Sequence, residues 1–341
     1  MRFFKYYIEK FLYSELLIQS STSKAAPATI LALSKAFADP LRLDVLRLLQ
    51  NNSFGVMELC HITATPQSGM SHHLKILTGS GLLETRREGT SIFYRRAMLP
   101  QNGFLSDLTR TFLETLDQTA LSPELIKARQ EIYDDRSQQS AEFFTRCAAQ
   151  LKENQDLVAS FEHYSGCVGD LIGNENLPSE TRVIEIGAGE SPLLTSLSQS
   201  FKSVLVVDNS DEMLNKTKAR VQQEQLKNVH FMLQDYDSLT LDFPADLLVC
   251  NMVLHHLPAP AAFFQKAAGL IKPKGKLLLI DLCPHQQDWT RDICGDLWLG
   301  FEPEDLDLWA AAAGFQRGQG AFLGLKNGFQ LQLRIFAAHS L

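Results

Sequence analysis

The chain has 341 residues, 45% of them apolar and 21% charged, which allows two or three domains with cores of their own and excludes disorder or collagen-like repetition. The net charge of −7 hides a contrast: residues 30–100 carry eight Lys/Arg against five Asp/Glu, so basic charge gathers there and the remainder is acidic. Six cysteines (60, 147, 167, 250, 283 and 294) lack CxxC spacing, which points to reduced cytoplasmic thiols rather than a disulfide framework, and no apolar run approaches the length of a membrane span.

Taken from the N-terminus, Phe3, Phe4, Tyr7, Ile8, Phe11 and Leu12 follow helical spacing. They predict an amphipathic helix that packs on a partner subunit or on the body; a little-structured start is the alternative. Lys5, Glu9, Lys10 and Glu15 interrupt any signal-peptide core, and Ser20–Ala28 is a linker. Asp39-Pro40 is a helix start, with Asp39 as cap and Pro40 where no N–H is needed. A short helix follows over 56–61, and Thr65-Pro66 opens another by the same logic. On that helix Met70, Leu74 and Leu77 face the core. Gln67, Ser68, Ser71, His72 and Lys75 remain on the opposite face, suited to base edges and phosphates in a major groove.

Strands over 82–86 and 92–96 flank a Glu88-Gly89-Thr90 tip. Arg86, Arg87, Arg95 and Arg96 put cations near this wing, where phosphates or a minor groove would lie; a generic solvated hairpin is the alternative. Phe104, Leu105, Leu108, Phe112, Leu113 and Leu116 form an apolar face too broad for a small domain to bury alone, so a homodimer is expected. Such a two-fold dimer would read a palindromic operator in double-stranded DNA. Residues 117–160 read as a polar helical connector.

From residue 182 strands alternate with helices: 182–186, 203–207, 229–233, 246–250 and 276–281, then 320–325 and 329–337 around a Lys326-Asn327-Gly328 hairpin turn. This predicts an open α/β sheet of five parallel strands with an antiparallel edge. Val183–Ile186 runs into Gly187-Ala188-Gly189, which lets backbone approach a ligand. Asp208 ends the second strand 21 residues after Gly187, where a carboxylate bonds ribose hydroxyls. Asp235 ends the third, near where an adenine amino group would lie. Pro192 replaces the last glycine of a dinucleotide motif, favouring a ligand without phosphates, and Glu185 suits one with an ammonium group.

These residues resemble a class I S-adenosylmethionine-dependent methyltransferase. Glu185-x-Gly187-x-Gly189 is similar to its first motif, Asp208 to its ribose-binding acid and Gln234-Asp235 to its adenine-contacting pair. Asp246–Asn251 resembles its fourth strand, Val253–Leu257 the segment that follows in ubiquinone-type enzymes, and Lys272–Lys276 the turn before the fifth strand. Ser191 departs from the third glycine of many members. The resemblance implies that Glu185, Gly187, Ala188, Gly189, Asp208, Asn209, Met213, Gln234, Asp235 and Asn251 bind S-adenosylmethionine, with S-adenosylhomocysteine as product or effector. His255 or His256 could act as a base if a small-molecule acceptor must lose a proton. Trp289, Trp298, Phe301 and Trp309 could stack on an acceptor or be core residues. No Asn/Asp-Pro-Pro-Tyr/Phe motif for a flipped base is present.

Residues 30–100 resemble the ArsR/SmtB family of winged-helix repressors, through Phe37–Leu43, Ser71–Leu77, Gly81-Leu82-Leu83 and the Arg86–Gly89 wing. The family's arsenic-sensing pair of cysteines is reduced to Cys60-His61, and Asp107, Glu114 and Asp117 lack a companion histidine, so no metal site is expected. The expected organisation is an N-terminal helix and linker (1–28), a winged helix-turn-helix of α+β type (29–100), a dimerisation helix and connector (101–154), and a Rossmann-like α/β methyltransferase domain (155–341). The functions that follow are a DNA-binding regulator that senses the cofactor, a methyltransferase with an auxiliary DNA-binding domain and, third, a metal-responsive repressor.

Overall fold

The structure is a computed structural model describing residues 29–339 except 90, 101, 148–149, 190–191 and 242. The helix expected over 3–12, the linker to residue 28, the hairpin-tip Thr90 and Ser191 lie outside the described residues. The chain forms two compact units that divide after Arg129, with residues 88–90 grouped with the second.

The first unit comprises α1 (29–37), α2 (Pro40–Leu48), β1 (Phe54–Gly55), α3 (Val56–Ile62), α4 (Gln67–Gly79), β2 (Leu83–Glu88), β3 (Ser91–Arg96) and α5 (Phe104–Asp117). Its sheet has the order β1-β3-β2, with Phe54 opposite Tyr94. Asp39 caps α2 as expected: its Oδ1 accepts the Arg42 N–H at 3.0 Å, and Pro40 occupies the first turn. The buried Arg42 donates to the carbonyls of Ala36 (2.8 Å) and Lys35 (2.7 Å), satisfying acceptors that the end of α1 leaves open.

The start of α4 differs from expectation. Pro66 is the N-cap and makes no side-chain bond, while the Thr65 hydroxyl turns back to the Thr63 carbonyl at 3.2 Å. The helix therefore relies on packing, with Met70, Leu74 and Leu77 fully buried. α5 buries Leu113 but leaves Phe104, Leu108 and Phe112 exposed.

α6 (Pro123–Cys147) starts in the first unit and continues in the second. α7 (Leu151–Ala159) and α8 (Ser165–Asn174) follow, then β4 (Arg182–Ile186), α9 (Leu193–Ser200), β5 (Ser203–Asp208), α10 (Asp211–Gln223), β6 (Val229–Leu233) and β7 (Ala245–Asn251). The unit is completed by α11 (Pro260–Leu270), β8 (Ile271–Leu282), α12 (Trp289–Ile293), α13 (Pro303–Ala312), β9 (Phe315–Gly324) and β10 (Gln330–Ala338). The seven-stranded sheet has the order β6-β5-β4-β7-β8-β10-β9. Its first five strands are parallel, and β10 runs antiparallel to both β8 and β9.

The central strands carry uninterrupted apolar runs, such as Leu247–Cys250 and Leu277–Ile280, because helices cover both sheet faces. β4 lies between β5 and β7, so the strand order reverses at its C-terminal end and opens a crevice there. Among the described residues no helix is long and apolar enough to cross a membrane.

Candidate functional site

A cavity of about 310 Å³ occupies that crevice, where β4, β5 and β7 end. Its glycine end is shaped by backbone. Gly187 (φ 60°) and Gly189 (φ 51°) take left-handed conformations that a side chain would disfavour. A Cβ on Gly187 would also meet Val253 Cγ2 at 2.8 Å. The Thr217 hydroxyl of α10 donates to the Gly189 carbonyl at 2.7 Å, holding the turn on that helix. Asp208 closes β5, its Oδ1 accepting the Ser210 N–H at 2.9 Å. Burial raises its pKa to about 6, against the opposing pull of backbone bonds from Ser210 and Asn209.

Asp235 accepts from the Ser137 hydroxyl (3.1 Å), the Asn209 amide (3.5 Å) and the Asp237 N–H (2.9 Å). Gln234 turns its amide toward the Ser238 carbonyl at 2.9 Å. The Tyr164 phenol donates to Asn251 Oδ1 at 3.1 Å. Of the residues expected to hold a cofactor, Gly187, Ala188, Gly189, Asp208, Asn209, Met213, Gln234, Asp235 and Asn251 all line the cavity.

Glu185 does not line it. Its carboxylate is fully buried within β4, both oxygens without a hydrogen-bond donor, and burial raises its pKa to about 8, partly countered by the charge of Arg220. The sequence could not reveal this, because every position from Val183 to Ile186 is buried.

His255 and His256 line the other end. His255 Nδ1 meets Asp281 Oδ1 at 2.8 Å, and its Nε2 lies 3.6 Å from Asp296 Oδ1. Burial works against its charge, but the two carboxylates outweigh burial and raise its pKa to about 9. His256 is pushed well below the ordinary range, by burial first and by His255 second. Its Nδ1 donates to the Gly295 carbonyl at 3.1 Å, which leaves Nε2 with a lone pair and no partner. Burial also raises the pKa of Asp296, whose carboxylate oxygens make no well-formed hydrogen bond.

Several lining residues escaped sequence reasoning. Ser137, Ser140 and Phe144 belong to α6, which read only as connector, and Phe144 packs edge-on against His256 with ring centroids 4.9 Å apart. Asp296 and Asp281 carried no motif. None of Trp289, Trp298, Phe301 or Trp309 lines the cavity; Trp298 and Phe301 are core, and the Trp298 indole donates to the Leu257 carbonyl at 2.8 Å.

On α4 the residues Gln67, Ser68, Ser71, His72 and Lys75 are all exposed, opposite the buried Met70, Leu74 and Leu77. The wing cations differ among themselves. Arg87 is exposed and Arg86 half-buried, whereas Arg95 pairs with Glu84 at 2.6 Å on the neighbouring strand. Arg96 is committed to the fold: it grips both Asp117 oxygens (2.8 and 2.5 Å) and donates from Nε to the Leu46 carbonyl at 2.8 Å. Asp117 of α5 is thereby engaged, and Glu58 caps the Gly55 N–H at 2.7 Å.

Comparison with known proteins gives two matches within the chain. Residues 39–85 match the family described as bacterial regulatory protein, arsR family, and residues 177–309 match a methyltransferase domain. An uncharacterized HTH-type transcriptional regulator of Methanocaldococcus jannaschii is 46% identical over 61 residues, covering 18% of this chain and 68% of that protein. A ubiquinone biosynthesis O-methyltransferase of Coxiella burnetii is 28% identical over 148 residues, covering 39% of this chain and 63% of that protein. The chain therefore spans less than two thirds of that enzyme's length. Among solved structures, magnesium protoporphyrin IX methyltransferase of Synechocystis PCC 6803, with bound SAH, aligns at 17% identity and a TM-score of 0.47 over 60% of this chain and 99% of that one. By its N-terminal region the chain belongs to the arsR family of bacterial regulatory proteins, and beyond that region it carries a methyltransferase domain.

Proposed function

We propose that this protein is a cytoplasmic, homodimeric, DNA-binding regulator whose methyltransferase domain binds S-adenosylmethionine or S-adenosylhomocysteine. The observation that carries the reading is the convergence of the Gly187–Gly189 turn, Asp208 and the Gln234-Asp235 pair on one cavity at the sheet's switch point. The glycines admit a ligand close to backbone, Asp208 offers a carboxylate for ribose hydroxyls, and Asp235 offers one for an adenine amino group. α4 presents its five polar side chains to the major groove, and Arg86, Arg87 and Arg95 serve the phosphates beside it. The exposed Phe104, Leu108 and Phe112 on α5 are the face by which two copies pair, which makes a palindromic operator the expected partner.

Regulation runs through α6. This helix begins in the DNA-binding unit and contributes Ser137, Ser140 and Phe144 to the cavity, which supports a coupling between ligand and DNA binding. Methyl transfer to a small molecule is favoured as a second activity by the histidine end, which gives the cavity room and polar groups beyond those used by the cofactor. Alignment and exclusion of water supply most of what such a displacement needs.

The test is operator affinity at fixed salt with and without each ligand, alongside methyl release from labelled S-adenosylmethionine. A ligand-dependent change in affinity of about five-fold or more supports regulation. Affinity that ignores a saturating ligand leaves an enzyme with an auxiliary DNA-binding region.

A further inference from the structure

The histidine end has a composition that methyl transfer does not require. Among the described residues His255, His256 and Asp296 form a group whose donor atoms all lie within 4.8 Å of one another, every member buried. We propose that these three residues bind a divalent transition-metal ion of the zinc class at the floor of the cavity. The proposal goes beyond the cofactor reading and does not depend on it.

Three features support a built site. First, the donor set of two imidazoles and one carboxylate suits zinc and its transition-metal neighbours, whereas magnesium and calcium prefer oxygen alone. Second, each ring is oriented from behind. His255 Nδ1 is fixed by Asp281 at 2.8 Å, and Asp281 is itself anchored by the Leu282 N–H at 2.7 Å. His256 Nδ1 is fixed by the Gly295 carbonyl at 3.1 Å. The carboxylate partner sets the His255 tautomer that leaves Nε2 for a metal, while His256 offers either ring nitrogen, its Nδ1 lying 3.9 Å from Asp296 Oδ1. Third, the atoms left over are those a metal would use: His256 Nε2 and both Asp296 oxygens are buried without a well-formed hydrogen bond. Orphaned polar atoms in an interior are costly, and an ion would engage His256 Nε2 and one Asp296 oxygen at once.

Ligand atoms around a tetrahedral ion at about 2.0–2.2 Å stand roughly 3.4 Å apart, so the group closes by about an ångström on binding. His255 Nε2 already lies 3.6 Å from Asp296 Oδ1. Coordination by His255 requires Nε2 free of a proton, so binding should weaken as pH falls. Three protein ligands leave a coordination position toward the cavity that all three residues line, for water or an oxygen of an acceptor. Cys294 stays out of the group, its Sγ contacting the Asn154 carbonyl at 3.6 Å.

The test uses the full chain, freed of any affinity tag and stripped with chelator, titrated with Zn²⁺ by calorimetry and with Co²⁺ by visible absorption. The expected result is one ion per chain, with cobalt ligand-field bands and no thiolate charge-transfer band. His256→Gln and Asp296→Asn should each weaken binding about 100-fold or more, and Asp281→Asn by about 10–100-fold. Circular dichroism identifies any variant that fails to fold, and the cobalt spectrum of the unaltered protein needs no variant. Absence of binding by folded protein, a thiolate band, or full affinity in both folded His256→Gln and Asp296→Asn would overturn the proposal.

Discussion

At its glycine end the cavity is made by backbone shape, with small residues and the half-exposed Asp208 and Asp235 beside them; at its histidine end it is made by charges sealed from water. The glycine turn excludes side chains by geometry, since Gly187 is both left-handed and packed on Val253. The histidine end holds His255 between Asp281 and Asp296 beside His256, all buried, with the carboxylates raising the pKa of His255 and burial lowering that of His256. Shape governs whether a ligand enters the first region. In the second, the protonation or metal state of a few atoms governs what the cavity can do.

The largest expected effect comes from spoiling shape. Gly187→Val adds a left-handed penalty of about 1–2 kcal/mol and overpacking of about 1–3 kcal/mol against Val253. Calorimetry should find binding of S-adenosylmethionine lost by more than about 100-fold, with a lowered melting temperature. Unchanged binding would remove the turn from the site.

Buried charge gives the next effect, and its sign follows from the raised carboxylate pKa values. Folded Glu185 keeps a proton up to about pH 8, whereas an ordinary glutamate releases it near 4.5. Its contribution to stability is therefore full below the ordinary value and is lost as pH rises through about 8. At about 1.4 kcal/mol per pH unit, this amounts to a few kcal/mol. Glu185→Gln should flatten that decline and melt higher than the parent at alkaline pH. Parallel melting curves across pH 5–9 would show that Glu185 is already relieved of its charge penalty.

The wing and α4 give the same contrast between committed and available cations. Arg96→Ala should cost about 1–3 kcal/mol, because it breaks a half-buried paired contact with Asp117. Denaturant titration reads that loss, and the salt dependence of DNA binding should keep its slope. Lys75→Ala should do the reverse, leaving stability within about 0.5 kcal/mol and reducing the salt slope by about one. A slope change with Arg96→Ala, or none with Lys75→Ala, would exchange their roles.

What was legible in the sequence was local. Asp39 announced its helix by chemistry three residues long, and the spacing of Met70, Leu74 and Leu77 fixed which face of α4 stays outside. Strand ends marked by Gly187, Asp208 and Asp235 converged because a parallel sheet aligns its C-terminal edges. What was not legible depended on distant partners. Asp281 reaches His255 from 26 residues away, and Asp296 arrives on a loop with no motif of its own. Arg96 looked like its neighbours until Asp117 claimed it, and α6 looked like a connector because its polar face gave no sign that Ser137 and Ser140 line a cavity. The tryptophans were ambiguous for the opposite reason, since large apolar rings serve a core and a pocket equally well.

The most direct test of the account is calorimetric titration of the full chain with S-adenosylmethionine and S-adenosylhomocysteine, repeated with Asp208→Ala. The account predicts binding of one ligand per chain, weakened about 10- to 100-fold in the variant by loss of a charged hydrogen-bond acceptor. Failure of the well-folded parent to bind either ligand, or equal affinity in Asp208→Ala, would contradict it.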